Sequence, residues 1–217
     1  MIPLDPPLAE GGVTAKPSTA SERSRRLLTP DEVIEWLDRH RDVIADRWIA
    51  ELRSRGEDVD EEVLALLREF VQLFVAFLAP GMGALRAQVE ALVQQAAELF
   101  GSLGAHRGQA AGESVEEFQL LREVVLRFLY DDSPSSGSAV LGLRDGLLLN
   151  RLIDLGVTYA SVGHTDALFF QHFHGTGVTD GPAPALLDEV QEQVAGLRED
   201  LERLSALDLE AGAERAN

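Results

Sequence analysis

The sequence predicts an all-α fold. Apolar residues recur every three or four positions along most of the chain, capping motifs precede several of these stretches, and no alternating strand pattern is present. A chain of 217 residues is long enough for one domain of about 150 residues with tails. We therefore expect a single helical bundle followed by a separate C-terminal helix.

The first predicted helix begins at a capping box. Thr29 is followed by Pro30 and, three residues on, by Glu32, so the side chains of Thr29 and Glu32 can each accept from the other's amide. Apolar residues then follow one face as far as Leu52, and we expect Gly56 to end the helix.

The next two helices differ in their patterns. The second, capped by Asp58 or Asp60 and stopped at Pro80, is apolar nearly all round and is predicted to be the most buried element. The third, over about 84–103, has apolar residues in alternating steps of four and three, which gives a narrower stripe.

The fourth and fifth helices complete the predicted bundle. Ser114 and Glu117 have the spacing of a second capping box, which predicts that the fourth helix starts near Val115. The fifth, over about 139–173, contains four glycines that lower its intrinsic helix propensity. Tertiary packing must therefore hold it, and three of the four glycines could allow another helix to approach closely.

The C-terminal helix carries the clearest periodic signal. Its apolar residues recur in a heptad a/d register over about two and a half heptads. We expect this seam to pair with a second copy, and packing against its own domain is the alternative. The predicted dimer seam comprises Leu187, Val190, Val194, Leu197, Leu201 and Leu204.

These patterns give a domain plan. We expect a disordered N-terminal arm rich in proline, glycine and serine, a helical domain, a glycine-containing hinge, the heptad helix and a frayed tail. The corresponding ranges are 1–28, 29–174, 175–183, 184–209 and 210–217.

Composition excludes several classes of function. The net charge of −18, from 37 acidic and 19 basic residues, disfavours nucleic acid and anionic membranes as partners. The absence of cysteine excludes disulfides and thiol chemistry. No secretory signal begins the sequence, and the longest apolar segment, 63–78, is interrupted by polar residues and too short for a bilayer. We expect a cytoplasmic protein.

A short polar region before and within the fourth helix resembles a known signature. The residues that carry the resemblance are His106, Arg107, Gly112, Glu117, Phe118, Leu121 and Arg122. Together they resemble the His/Arg, Gly, Glu-aromatic and Leu-Arg signature of the RsbRD-type N-terminal sensor domain (RsbT co-antagonist family), over about 29–173. That family is all-helical, globin-like and usually without haem, and it precedes a STAS domain or a histidine kinase.

The resemblance implies a role in bacterial signal transduction through protein contacts. Since the sequence ends at Asn217, we expect a stand-alone form without the output domain. The expected protein is a sensory, regulatory or scaffolding homodimer whose partner is a kinase, a STAS-domain protein or an anti-sigma-type regulator. One alternative is a haem- or small-ligand-binding globin-like sensor, and another is a purely structural adaptor.

Candidate site residues are few. His106, with Arg107 beside it, could bind haem or another small ligand, but a polar corner residue bonded to backbone is expected, and no cofactor is predicted. Glu117 and Arg122 could form a buried ion pair that fixes the corner. Because no nucleophile elbow, phosphate-binding loop or dinucleotide fingerprint is present, we expect no enzymatic activity.

The end of the fifth helix combines histidines with phenylalanines. His172 lies eight residues after His164 and two before His174, and this spacing does not suit a zinc site on one helix face. Phe169, Phe170 and Phe173 are expected to pack into the core, and an exposed patch for a partner is the alternative.

Overall fold

The chain folds into a bundle of helices, so the all-α prediction is confirmed. The computed structural model describes residues 26–55, 59–131, 139–174 and 182–216. Within these ranges there are six α-helices and one pairing of two-residue strands. The helices are α1 (Pro30–Ser54), α2 (Glu61–Gly81), α3 (Arg86–His106), α4 (Ala111–Asp131), α5 (Leu143–His174) and α6 (Pro184–Ala216).

Helix α1 begins as predicted. The Glu32 amide donates to the Thr29 hydroxyl at 3.3 Å, and the Thr29 amide donates to the Glu32 carboxylate at 2.9 Å. At the start of α2 the Glu62 amide donates to Asp60 at 2.8 Å, which identifies Asp60 as the cap. Gly56 and Asp58 lie outside the described residues.

The predicted start of the fourth helix is wrong. Helix α4 begins at Ala111, before Ser114, and the Ser114 amide already donates to the carbonyl of Ala110. The carboxylate that reaches back at this terminus belongs to Glu113, which accepts from the Ala110 amide at 2.6 Å. Ser114 and Glu117 are therefore free to face the interior, where both are buried.

Residues 26–28 are structured, which differs from the expected disordered arm at its C-terminal end, and residues 1–25 of that arm lie outside the described residues. Strand β1 (Arg26–Leu27) pairs in parallel with β2 (Ala139–Val140), and the next residue, Leu28, is buried in the core. Arg26 also forms an ion pair with Glu32. The predicted hinge, 175–183, lies largely outside the described residues, which resume at 182.

Aromatic rings fill the centre of the bundle. Phe100 of α3 contacts Phe70 and Phe118 with ring centroids 4.8 and 4.9 Å apart, and Phe74 meets Phe118 at 5.0 Å. Helix α2 supplies two of these rings. By length and composition it could cross a membrane, yet 67% of its most apolar window is buried inside the bundle.

Helices α3 and α5 are in backbone contact. A Cβ atom on Gly101 of α3 would lie 1.8 Å from the carbonyl oxygen of Ala160, and one on Gly163 of α5 would lie 2.0 Å from that of Glu98. Gly101 follows Glu98 along α3, whereas its partner Ala160 precedes Gly163 along α5. The two helices therefore run antiparallel. The expected close approach through α5 glycines occurs at Gly163 and also at Gly156, which faces two phenylalanine rings.

Helix α6 lies on α2 and α3. The heptad face predicted as a dimer seam is used within the chain, so the alternative interpretation describes this structure. A dimer through the same face would require α6 to leave the bundle, and the homodimer itself stays a prediction. The seam residues Leu187, Val190, Val194, Leu197 and Leu201 are buried, and Leu204 is half-buried.

Candidate functional site

The corner between α3 and α4 contains a buried ion pair. Arg107 lies directly after α3, and its Nη2 is 3.0 Å from the Glu117 Oε1 while its Nη1 donates to Oε2 at 3.3 Å. Only 6% of the Arg107 side chain and 2% of the Glu117 side chain are exposed. The predicted pair of Glu117 with Arg122 is therefore wrong, because two residues five apart on a helix point about 140° apart.

Further hydrogen bonds connect α1 and α5 to this corner. The Gln109 side-chain amide donates to Glu117 at 2.7 Å, and the Trp48 indole N–H of α1 donates to the Glu117 carbonyl at 2.9 Å. His164 of α5 is buried and lies with Nε2 2.8 Å from the Gln109 carbonyl. Since a carbonyl only accepts, this nitrogen carries the proton. We call Trp48, Arg107, Gln109, Glu117 and His164 the polar corner.

Two close features shape the turn itself. Gly108 has φ 76°, a left-handed conformation that glycine adopts without the usual Cβ penalty. Gly104 faces Ser114 so closely that a Cβ there would lie 2.4 Å from the hydroxyl oxygen. Gly112, which belongs to the resemblance, is exposed in the first turn of α4, and a Cβ on it would meet nothing within 4 Å.

The other signature residues have packing or surface roles. Phe118 and Leu121 are buried in the core, as their helical spacing suggests. Arg122 points away from the corner and forms an ion pair with Asp154 of α5. The signature therefore divides among the polar corner, the aromatic core and the α4–α5 surface.

His106 is the last residue of α3 and faces away from the polar corner. Its Nδ1 lies 2.8 Å from the Ser102 carbonyl, so Nδ1 donates and Nε2 remains as the acceptor of the neutral ring. The expectation of a histidine bonded to backbone agrees with this contact. Although His106 and Arg107 are adjacent in the chain, Arg107 belongs to the buried ion pair, whereas His106 lines a surface groove.

The groove next to His106 lies between α3, α5 and α6 and has a volume of about 520 Å³. Apolar side chains that include Leu99, Ala167 and Val190 form its floor. We call this feature the α3/α5/α6 groove. Inside the bundle, the cavity beside Phe100 and Phe118 has only about 10 Å³, because the aromatic rings fill that space.

A cluster of phenylalanines is exposed beside the groove, contrary to the expectation that it packs into the core. Phe169 is 70% exposed, Phe173 is 76% exposed, and their rings stack with centroids 6.3 Å apart. Phe170 and Leu168 are also exposed, and Phe170 reaches the lining of the groove. We call Leu168, Phe169, Phe170 and Phe173 the aromatic patch.

His164 and His172 of α5 do not lie together. His164 is buried in the polar corner, His172 is exposed two turns further on, and the side chain of His174 lies outside the described residues. No group of three potential metal ligands occurs among the described residues. The polar corner holds α1, α3, α4 and α5 together through charge and hydrogen bonds, which is a structural role.

Sequence reasoning missed three members of the polar corner. Trp48 belongs to the apolar residues that end at Leu52, Gln109 belongs to no sequence pattern, and the pattern of His164 suggests at most a metal ligand. The residues joined by these contacts are 69, 8 and 55 positions apart, so no local pattern connects them. The sequence offers one signal, which is His164 among small residues on a predicted helix. If such a histidine is buried, it needs a hydrogen-bond partner.

Comparison of the chain with protein-family models, with curated proteins and with solved structures finds no match.

Proposed function

We propose that the chain is a regulatory or scaffolding protein that acts through protein–protein contacts, with the aromatic patch as part of its binding surface. The observation that carries this proposal is the exposure of three phenylalanine side chains within the last two turns of α5. Large apolar side chains gathered at one place on a surface are typical of a site that another protein covers.

The position of the patch also supports a binding role. It lies at the end of α5, a helix whose backbone contact with α3 holds it firmly in the bundle. Residues on a rigid element lose little conformational entropy when a partner binds. This entropy loss therefore offsets less of the favourable free energy of the contacts.

The finer description follows the resemblance to RsbRD-type sensor domains. In it the bundle is globin-like, α6 is a coiled-coil-like signalling helix, and the protein is a cytoplasmic homodimer in bacterial signal transduction. Its partner is a kinase, a STAS-domain protein or an anti-sigma-type regulator. The burial of Arg107 and Glu117, two of the signature residues, supports a constrained corner of the kind that such a domain shares.

A signal would pass through the position of α6. This helix lies on α2 and α3 through one apolar face, so two seatings of α6 would expose different surfaces beside the groove. Only a ligand or partner that binds the two arrangements with different affinity can shift their populations.

The proposal is tested by photo-crosslinking from the patch in the native cells. A photoreactive amino acid replaces Phe169 in one variant and, as a control, Leu147 in another; Leu147 is exposed near the other end of α5. We expect one identified protein to be captured from position 169 and not from 147, and its purified form to bind the wild-type chain. Identical captures from both positions, or none that survives purification, would contradict the proposal.

A second candidate function, binding of haem or another small ligand, is favoured by one observation. The Nε2 atom of His106 is the free acceptor of a ring that lines a groove of about 520 Å³. Titration with haemin tests it: a Soret band that His106→Ala abolishes would support it. A spectrum that shows no bound haem would contradict the haem form of this candidate.

A further inference from the structure

The α3/α5/α6 groove has an apolar floor and an acidic rim. Glu98 of α3, Asp166 of α5 and Glu189 of α6 all lie in its lining, around the floor described above. His106 is the single lining residue, among those described, that can carry a positive charge. The three helices therefore each direct one carboxylate toward the same apolar surface.

The described part of the chain supplies no basic partner that neutralises these carboxylates. Among the described residues none of the three forms an ion pair, whereas acids elsewhere on the surface, such as Asp46 and Asp154, are paired with arginines. Neutral amides hold two of them instead. The Gln94 side chain donates to Glu98 at 2.9 Å, and that of Gln193 donates to Glu189 at 3.2 Å. The groove thus presents fixed, unbalanced negative charge.

We propose that the α3/α5/α6 groove binds a short amphipathic helical segment of a partner protein that carries arginine or lysine beside its apolar face. This inference rests on the proposed function and names the chemistry of the partner. Apolar side chains of the segment cover Leu99, Val190 and Phe170, and its basic residues meet the rim. A volume of about 520 Å³ accommodates a few side chains, which is the scale of one helix face.

Charge argues for this occupant over two others. A second copy seated in this groove would bring a chain of net charge −18 against its three carboxylates, so a dimer contact is disfavoured at this place. An anionic lipid surface is repelled for the same reason. A basic amphipathic segment is attracted by the rim and matches the apolar floor.

The test uses the full-length protein and two synthetic peptides. Both are fluorescein-labelled helices of about 18 residues with leucine and phenylalanine at i, i+3, i+4 and i+7 positions. One has arginine at the flanking positions and the other has glutamate. Anisotropy titrations in low salt should show binding of the arginine peptide that weakens as salt rises, and at least tenfold weaker binding of the glutamate peptide.

Matched variants locate the site. The rim variant Glu98→Gln/Asp166→Asn/Glu189→Gln should weaken binding of the arginine peptide by about tenfold, since each exposed charge pair contributes modestly. The control Glu51→Gln/Glu62→Gln/Glu116→Gln changes the net charge equally, at exposed acids on α1, α2 and α4 that do not line the groove. It should leave the affinity within about twofold, a change of about 0.4 kcal/mol.

Several outcomes would overturn the inference. These are equal binding of the two peptides, equal weakening by the rim and control variants, or binding to vesicles of phosphatidylglycerol in place of the peptide. A mass of the wild-type protein that falls to the monomer value in the rim variant would assign the groove to a second copy. The peptide comparison needs no variant, so it remains decisive if the rim variant unfolds.

The two experiments distinguish failure of the groove inference from failure of the proposed function. The peptide titration reads the acidic groove, whereas photo-crosslinking reads a protein partner at position 169. Crosslinking without preference for the arginine peptide would leave a protein-binding module whose partner lacks basic character.

Discussion

The contact between α3 and α5 and the seat of α6 are both helix–helix interfaces, but they are built in opposite ways. At the first, glycine brings the backbones together, so a Cβ on Gly101 or Gly163 would overlap a carbonyl oxygen. At the second, α6 rests on side chains, and buried Val194 and Leu197 alternate with exposed positions. The first interface excludes any added atom, whereas the second depends on the bulk of each apolar residue.

The difference separates a rigid part of the molecule from an element that can move. α5 is further fastened to the other helices by the polar corner, through the contact of His164 with Gln109. In the described part of α6, buried apolar residues of one face pack against α2 and α3. We therefore expect α1 to α5 to unfold together and α6 to open on its own.

The largest effect should come from the polar corner on the rigid side. Glu117→Gln removes the negative charge and leaves Arg107 buried without its counter-ion. Removal of one partner from a buried pair costs about 3–5 kcal/mol, so the free energy of unfolding in urea should fall by that amount. The neighbouring exposed Glu116→Gln should change it by less than about 0.5 kcal/mol. If the two variants lowered the free energy of unfolding equally, the polar corner would not stabilise the bundle as we expect.

A glycine comparison should give opposite signs at the α3–α5 contact and on the exposed face of α6. Gly163→Ala forces its Cβ to within 2.0 Å of the Glu98 carbonyl oxygen, and we expect a loss of about 3 kcal/mol from overpacking. In Gly196→Ala of α6 the new Cβ meets nothing within 4 Å, so helix propensity should raise stability by up to about 1 kcal/mol. Thermal unfolding of both variants checks this. A loss at position 196 as large as at 163 would contradict the distinction.

A third change should detach α6 alone. In Leu197→Asp/Leu201→Asp two buried seam residues become charged, so we expect hydrogen exchange in α6 to accelerate on the order of a hundredfold, equivalent to about 2.7 kcal/mol. Protection in α3 and α5 should persist. The control Ala195→Asp/Ala206→Asp places the same charges at exposed positions of α6 and should alter exchange little.

Light scattering on the same pair of variants addresses the predicted homodimer. If the seam joins two copies in solution, the Leu197→Asp/Leu201→Asp protein should have half the mass of the wild type. A monomeric mass for wild type and variant alike would exclude that use of the seam.

The smallest effect should come from an exposed contact that belongs to neither interface. The pKa of Glu32 is lowered to about 2, first by its bond to Arg26 and then by the Thr29 amide. A carboxyl with a lowered pKa stabilises the fold above its ordinary pKa of 4.5, and this contribution is lost as the pH falls toward about 2. Glu32→Gln keeps the capping geometry. Its stability should therefore depend less on pH between 4.5 and 2, measured by acid titration of helicity.

Much of the fold could be predicted because it depends on patterns among residues that are close in the sequence. The Thr29 capping box, the burial of α2 and the seam face of α6 all follow from residues within a few turns of one another. Such patterns state which face of a helix is apolar, but they do not state what covers it. For that reason the periodicity predicts an apolar face on α6, and it does not decide between a second copy and the seat on α2 and α3 that this structure has.

The candidate site was less predictable because its contacts are non-local. The partner of Glu117 is Arg107, which the turn at Gly108 brings back, and a pairing based on proximity within α4 named Arg122 instead. Periodicity placed the phenylalanines at the end of α5 on a helix, but the burial of that last segment depends on how far neighbouring helices extend. The structure leaves Phe169 and Phe173 at the surface.

The antiparallel contact of α3 with α5 also determines what descendants of this chain can inherit. Gly101 and Gly163 each lie against a carbonyl oxygen, so any residue with a side chain would have to push the helices apart. Residues on the surface, in the groove and in the seam can be substituted one at a time, with compensating changes nearby. These two glycines must instead be retained together, with a small residue at Ala160. A glycine on the third helix and an alanine–glycine pair three residues apart on the fifth are therefore the marks by which a distant relative with this fold could be recognised.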